Sequence, residues 1–233
     1  MSNVRSETGP RLNSRPKTVA FANSKGGVGK STLALLMGLG LATRHRDASV
    51  NLIDLDPQAT SSDSLRRFCD SRFSVVSDSR NYASGSPNNE NIISHIHSQQ
   101  SRRFKKRFVV IDSPAGIEPS KSSFLFHCDV LLIPTSVSDA DIFATRRYVG
   151  KLHHLFKSHD NRQTFPPPAL IILPNLVDSR DEFNELRFAL QNERAYLGKP
   201  LYYSPAFRRA FREQRNDDNI RTIFKQAQPY TLW

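Results

Sequence analysis

Residues 24–32 read Ser-Lys-Gly-Gly-Val-Gly-Lys-Ser-Thr, and this nine-residue run restricts the fold more than any other stretch of the chain. Gly26, Gly27 and Gly29 let successive backbone amides converge on one point, and a helix that starts directly after them adds the positive end of its dipole. Such a loop needs a strand before it and a helix behind it. Residues 18–23 (TVAFAN) form a short apolar run, and residues 32–42 (TLALLMGLGLA) are apolar on nearly every face. The pattern predicts strand, loop and buried helix, and hence a phosphate cradle made by Gly26, Gly27, Val28, Gly29, Lys30, Ser31 and Thr32. Lys30 is placed to reach β- and γ-phosphates, and the Ser31 hydroxyl to coordinate Mg²⁺.

The rest of the chain repeats the same alternation. Residues 48–54 (ASVNLID), 107–112 (RFVVID), 129–134 (DVLLIP) and 169–174 (ALIILP) are short and continuously apolar, as in strands of a parallel sheet covered on both faces. Helices are predicted between them at 61–69, 90–104, 139–156 and 181–191. The expected fold is α/β, a doubly wound, mostly parallel sheet whose ligand site lies on the loops after the strand C-termini. Residues 1–16, polar and carrying Pro10 and Pro16, are read as a mobile tail, and 17–233 as one domain. The Ser-, Asn- and Asp-rich stretch 71–89 is read as an irregular surface excursion. From 204 onward the spacing of Phe207, Ala210, Phe211, Ile220, Ile223 and Phe224 reads as helical.

The loop departs from the ordinary Walker A pattern, with Ser24 where glycine is usual and Lys25 directly after it. In this it resembles the KGGxGK[ST] signature of the ParA/MinD group, the P-loop NTPases of the deviant Walker A class. The resemblance implies that Lys25 reaches across an ATP-sandwiched dimer to the partner's phosphates; the alternative is a solvated loop lysine. Residues 51–58 (NLIDLDPQ) resemble the DxDPQ segment typical of ParA-type partition proteins. By that likeness Asp56 orients the attacking water and Asp54 supports the site, whereas either could instead cap the next helix. Residues 108–116 (FVVIDSPAG) resemble a Walker B strand, which makes Asp112, with Ser31 and Asp54, the expected metal set. In 170–178 (LIILPNLVD) the resemblance assigns Asn175 to the adenine, against the plainer reading of a turn asparagine after Pro174. It covers about residues 17–215.

Charge bears on partners. Thirty-three Lys and Arg against twenty-two Asp and Glu leave a formal charge of +11, which favours polyanions. Two clusters stand out, Arg102 to Arg107 and Arg208, Arg209, Arg212 and Arg215. The resemblance points to Arg208, Arg209 and Arg212 as the nonspecific DNA surface, the alternative being a solvated helix face. Cys69 and Cys128 stand in unrelated contexts and suggest neither a metal site nor a disulfide. With no long apolar run, the expected location is cytoplasmic and nucleoid-associated. The cofactors implied are ATP and Mg²⁺. The activity implied is weak ATP hydrolysis by a homodimer, stimulated by a small ParB-like or cargo-adaptor protein, that segregates plasmid or chromosomal DNA or positions a cargo. A MinD-like membrane-associated ATPase is one alternative, although Pro229 interrupts the amphipathic end it would need. A nucleotide-dependent DNA scaffold is the other.

Overall fold

A computed structural model describes residues 15–66, 73–77, 89–98, 106–159 and 166–203. The described chain begins at Arg15, whose Nη2 donates to His127 O at 2.8 Å and pairs with Asp129 Oδ1 at 3.3 Å. Strand β1 (Lys17–Phe21) leads into the glycine loop and helix α1 (Lys30–Arg44). There follow β2 (Ala48–Asp54), α2 (Thr60–Arg66), β3 (Phe73–Ser77), α3 (Asn89–Ser98) and β4 (Lys106–Asp112). Two 3₁₀ turns, Pro119–Lys121 and Ser123–His127, lead to β5 (Val130–Thr135) and α4 (Asp139–His159). The described chain ends with β6 (Ala169–Val177), α5 (Arg180–Leu190), β7 (Tyr196–Leu197) and β8 (Leu201–Tyr202).

The sheet has the order β3-β2-β4-β1-β5-β6-β7, with β8 also on β6, and every pairing is parallel. Period-two alternation sends neighbouring residues of each strand to opposite faces. Ala20, Val109, Ile111, Leu131, Ile133 and Ile172 face one core, against Ile92 of α3, Tyr148 and Leu152 of α4 and Leu186 of α5. Val19, Phe21, Val110, Leu132 and Leu173 face the other, against Leu35, Leu39 and Leu41 of α1. Both faces are therefore covered, which is why the strands read as unbroken apolar runs.

Three features depart from the sequence reading. The stretch 71–89, read as irregular, contains β3, whose FSVVS residues pair in register with β2 from Val50↔Phe73 to Asp54↔Ser77. Strand β6 runs three residues beyond the predicted 169–174. It carries a register shift between Asn175 and Val177, where Leu176 takes a left-handed φ of 59°. The two-residue strands β7 and β8 were not anticipated. The ends of the helices predicted at 61–69 and 90–104, and everything from 204 onward, lie outside the described residues.

Candidate nucleotide site

The loop from Ser24 to Gly29 sits at the C-terminal end of β1, the strand flanked by β4 and β5. Gly27 and Gly29 take positive φ of 80° and 94°, and Gly29 is the N-cap of α1 without a side-chain cap. The first amides of α1 thus remain for an anion. A Cβ at Gly29 would fall 2.4 Å from Asn175 Nδ2, so glycine is required there by sterics as well as by φ. Asn175 is buried and donates to Val28 O at 2.9 Å. Asn175, the residue expected at the adenine, is thereby tied from β6 to the phosphate loop.

Lys30 is buried and its Nζ donates to Lys25 O at 2.8 Å, curling over the loop. Burial pulls its pKa down, and Asp112 and Asp56, both close by, oppose that shift. Lys25 points elsewhere. Its half-exposed Nζ pairs at 3.4 Å with Asp141 Oδ1 in the first turn of α4, and the other Asp141 oxygen is held by the Ser136 hydroxyl. The two lysines of one loop thus take different partners.

Three carboxylates gather where β2 and β4 end side by side, with Asp54 in register with Asp112. Asp54 Oδ1 accepts from Asp56 N at 3.0 Å, and its Oδ2 from Ser61 Oγ at 2.9 Å and Ser62 N at 2.8 Å. Asp54, expected in the metal set, thus also holds Asp56 and the start of α2 through both of its oxygens. Asp112 is different. Ser61 Oγ lies 2.7 Å from its Oδ2, while the buried Oδ1 completes no hydrogen bond. The single Ser61 hydroxyl proton is shared between Asp54 and Asp112. Burial first and then the charge of Asp54 push the Asp112 pKa up to about 7, with Ser61 and Ser31 hydroxyls pulling the other way. A buried carboxylate with an uncommitted oxygen, beside the Ser31 hydroxyl, fits a hard divalent cation. Asp56 is half-buried, turns its own loop by accepting from Gln58 N at 2.9 Å, and lines a cleft of about 530 Å³ with Gln58, Ala115, Gly116 and Glu118.

The structure thus gathers Lys25, Lys30, Ser31, Asp54, Asp56, Asp112 and Asn175 around one loop, while Arg208, Arg209 and Arg212 lie outside the described residues. Two residues of the site went unremarked in the sequence. Ser61 bridges the second and third motifs, and Asn23 links the loop to β5 and α4. A polar residue in the otherwise apolar approach to a glycine loop was the available signal for Asn23.

A glycine loop between strand and helix, a lysine over it, and a serine and an aspartate suited to Mg²⁺ define a P-loop nucleotide-binding protein. The chain belongs to the CobQ/CobB/MinD/ParA nucleotide binding domain family, CbiA, whose model matches residues 19–216. It is 27% identical over 194 residues to maintenance of carboxysome distribution protein A of Halothiobacillus neapolitanus, covering 83% of this chain and 80% of that one. Among solved structures it resembles a putative plasmid partition protein from Borrelia burgdorferi bound to AMPPNP, with TM-score 0.65 and 15% identity over 93% of this chain and 98% of that chain. It likewise resembles cobyrinic acid a,c-diamide synthase from Mycobacterium smegmatis with an ATP analogue and magnesium, with TM-score 0.62 and 18% identity over 90% and 92% of the two chains.

Proposed function

We propose that this chain is a positioning ATPase of the ParA type: it pairs with a second copy around ATP, holds nonspecific DNA in that state, and lets go after hydrolysis. The observation that carries the reading is the division of labour between the two loop lysines. Lys30 is buried over the loop, whereas Lys25 reaches away from it and is held by one half-exposed ion pair. Such pairs are worth little on their own, so Lys25 is free to exchange Asp141 for a phosphate on another molecule. Asp56 orients the attacking water, and Ser31 and Asp112 would hold Mg²⁺, which would supply positive charge against the phosphates. A small partner protein stimulates turnover. The relative named for carboxysome distribution supports a large protein assembly as cargo, and the partition protein supports DNA as cargo. DNA contact is assigned to Arg208, Arg209 and Arg212.

Size-exclusion chromatography with a nonhydrolysable ATP analogue tests the reading. The parent and Asp56→Ala should form dimers, Asp56→Ala with turnover lost, while Lys25→Ala should bind nucleotide and remain monomeric. A Lys25→Ala protein that dimerises like the parent removes the basis of the proposal. For DNA, neutralising roughly four phosphates gives a slope of log K against log salt of about −3 to −4. Charge reversal at Arg208 and Arg209 should flatten that slope without affecting dimerisation.

A further inference from the structure

Asn23 lies just beyond the end of β1 and is wholly buried. Its side-chain amide reaches three separate parts of the molecule. Nδ2 donates to Pro134 O in β5 at 2.8 Å and to Thr145 Oγ1 in α4 at 3.0 Å, and Oδ1 accepts from Lys25 N at 3.1 Å. A buried amide is tolerated only when so bonded. The combination needed here, two donors and an acceptor on one short planar group, excludes carboxylates, which lack the donors, and hydroxyls, which have one.

Thr145, itself buried, lies one helical turn after Asp141, so both project from the same face of α4. Asp141 holds Lys25 Nζ, Asn23 holds Lys25 N, and Lys25 O holds Lys30 Nζ. The backbone and the side chain of Lys25 are thereby fastened to one face of one helix at two points. We propose that Asn23 is a positioning residue for nucleotide hydrolysis: its amide is a strut that registers the phosphate loop against α4 through Thr145 and so sets where Lys25 stands. A shift of α4 on nucleotide binding or on self-association is transmitted to Lys25 through this strut, and the reverse holds by linkage.

The kinetic part rests on the hydrolytic reading above, and the test separates the two. Thr145→Val keeps the shape and removes the acceptor, Thr145→Ser keeps the acceptor, and Asn23→Ala removes the strut. In nucleotide-free protein, amide hydrogen exchange across residues 24–29 should accelerate about tenfold in Thr145→Val and in Asn23→Ala, and return towards the parent rate in Thr145→Ser. Turnover should fall by about tenfold with KM changed less than about threefold, again recovered by Thr145→Ser, and the double variant should be no worse than Asn23→Ala. Unchanged exchange across the loop in folded Thr145→Val overturns the proposal. So does a Thr145→Ser protein that behaves like Thr145→Val, which would reduce the position to packing. A parent protein without ATP turnover would sink the hydrolytic reading, while the exchange measurement would still decide for or against the strut.

Discussion

Asp112 shows how one side chain can bind the needs of the site to the stability of the fold. Its pKa stands at about 7 against an ordinary 3.8, because burial and then Asp54 disfavour its charge. Between those two values the folded chain holds a proton that the unfolded chain has released. The stability of the nucleotide-free protein should therefore decline as pH rises from about 4 to about 7 and level off above that, because the native state binds more protons throughout the window. Denaturant titrations in EDTA at several pH values, compared with Asp112→Asn, isolate this slope; Asp112→Asn should lack it. An identical pH profile in the two proteins would mean that Asp112 is ionised throughout. The same substitution should weaken Mg²⁺-dependent ATP binding, since the oxygen best placed for the ion is removed.

Helix α5 shows an element whose ends are written in its sequence. Ser179 Oγ accepts from Glu182 N at 3.2 Å, and Glu182 Oε2 accepts in return from Asp178 N at 2.8 Å, a reciprocal cap in which acidic residues also meet the helix dipole. Ser179→Ala should cost about 1 kcal/mol, seen as a fall in Tm of about 2–4 °C with nucleotide affinity unchanged. A loss of affinity in this variant would mean that α5 acts on the site, contrary to the geometry. Strands β2, β4 and β5 were legible because burial on both faces leaves little room for polar residues. Strand β3 was hidden because only Phe73, Val75 and Val76 are apolar within a Ser- and Asn-rich stretch, and its place is fixed by pairing with β2 rather than by its own pattern. The phosphate loop, Lys30 and Asp112 could be read from local order. The tasks of Asn23 and Ser61 could not, because each is set by a partner remote in sequence, Thr145 for the one and Asp112 for the other.

In the molecule as a whole, the site is formed where β1, β2 and β4 end together, so nucleotide binding should stabilise the entire sheet. At a hundredfold excess over Kd, Mg-ATP adds about 2.7 kcal/mol, which for a chain of this size raises Tm by about 5–10 °C. Lys30→Ala should abolish the shift in a thermal scan, and a shift of parental size in that variant would place the nucleotide elsewhere. The position of β1 has a consequence for synthesis. Among the described strands this one is made before the others, yet both its neighbours come much later: β4 pairs it on one side and β5 on the other, and the contact between Asn23 and Pro134 spans 111 residues. At about 5–20 residues per second a ribosome needs roughly 5–20 s to deliver β5. Until β4 arrives an apolar strand and the apolar helix behind it have no sheet to enter, and until β5 and α4 follow the glycine loop between them has neither to rest against. Nascent chains that end before β5 should therefore depend on chaperones that shield extended apolar segments, and nucleotide cannot rescue them, because its pocket draws on β1, β2, β4 and β6 and is incomplete until all four are made.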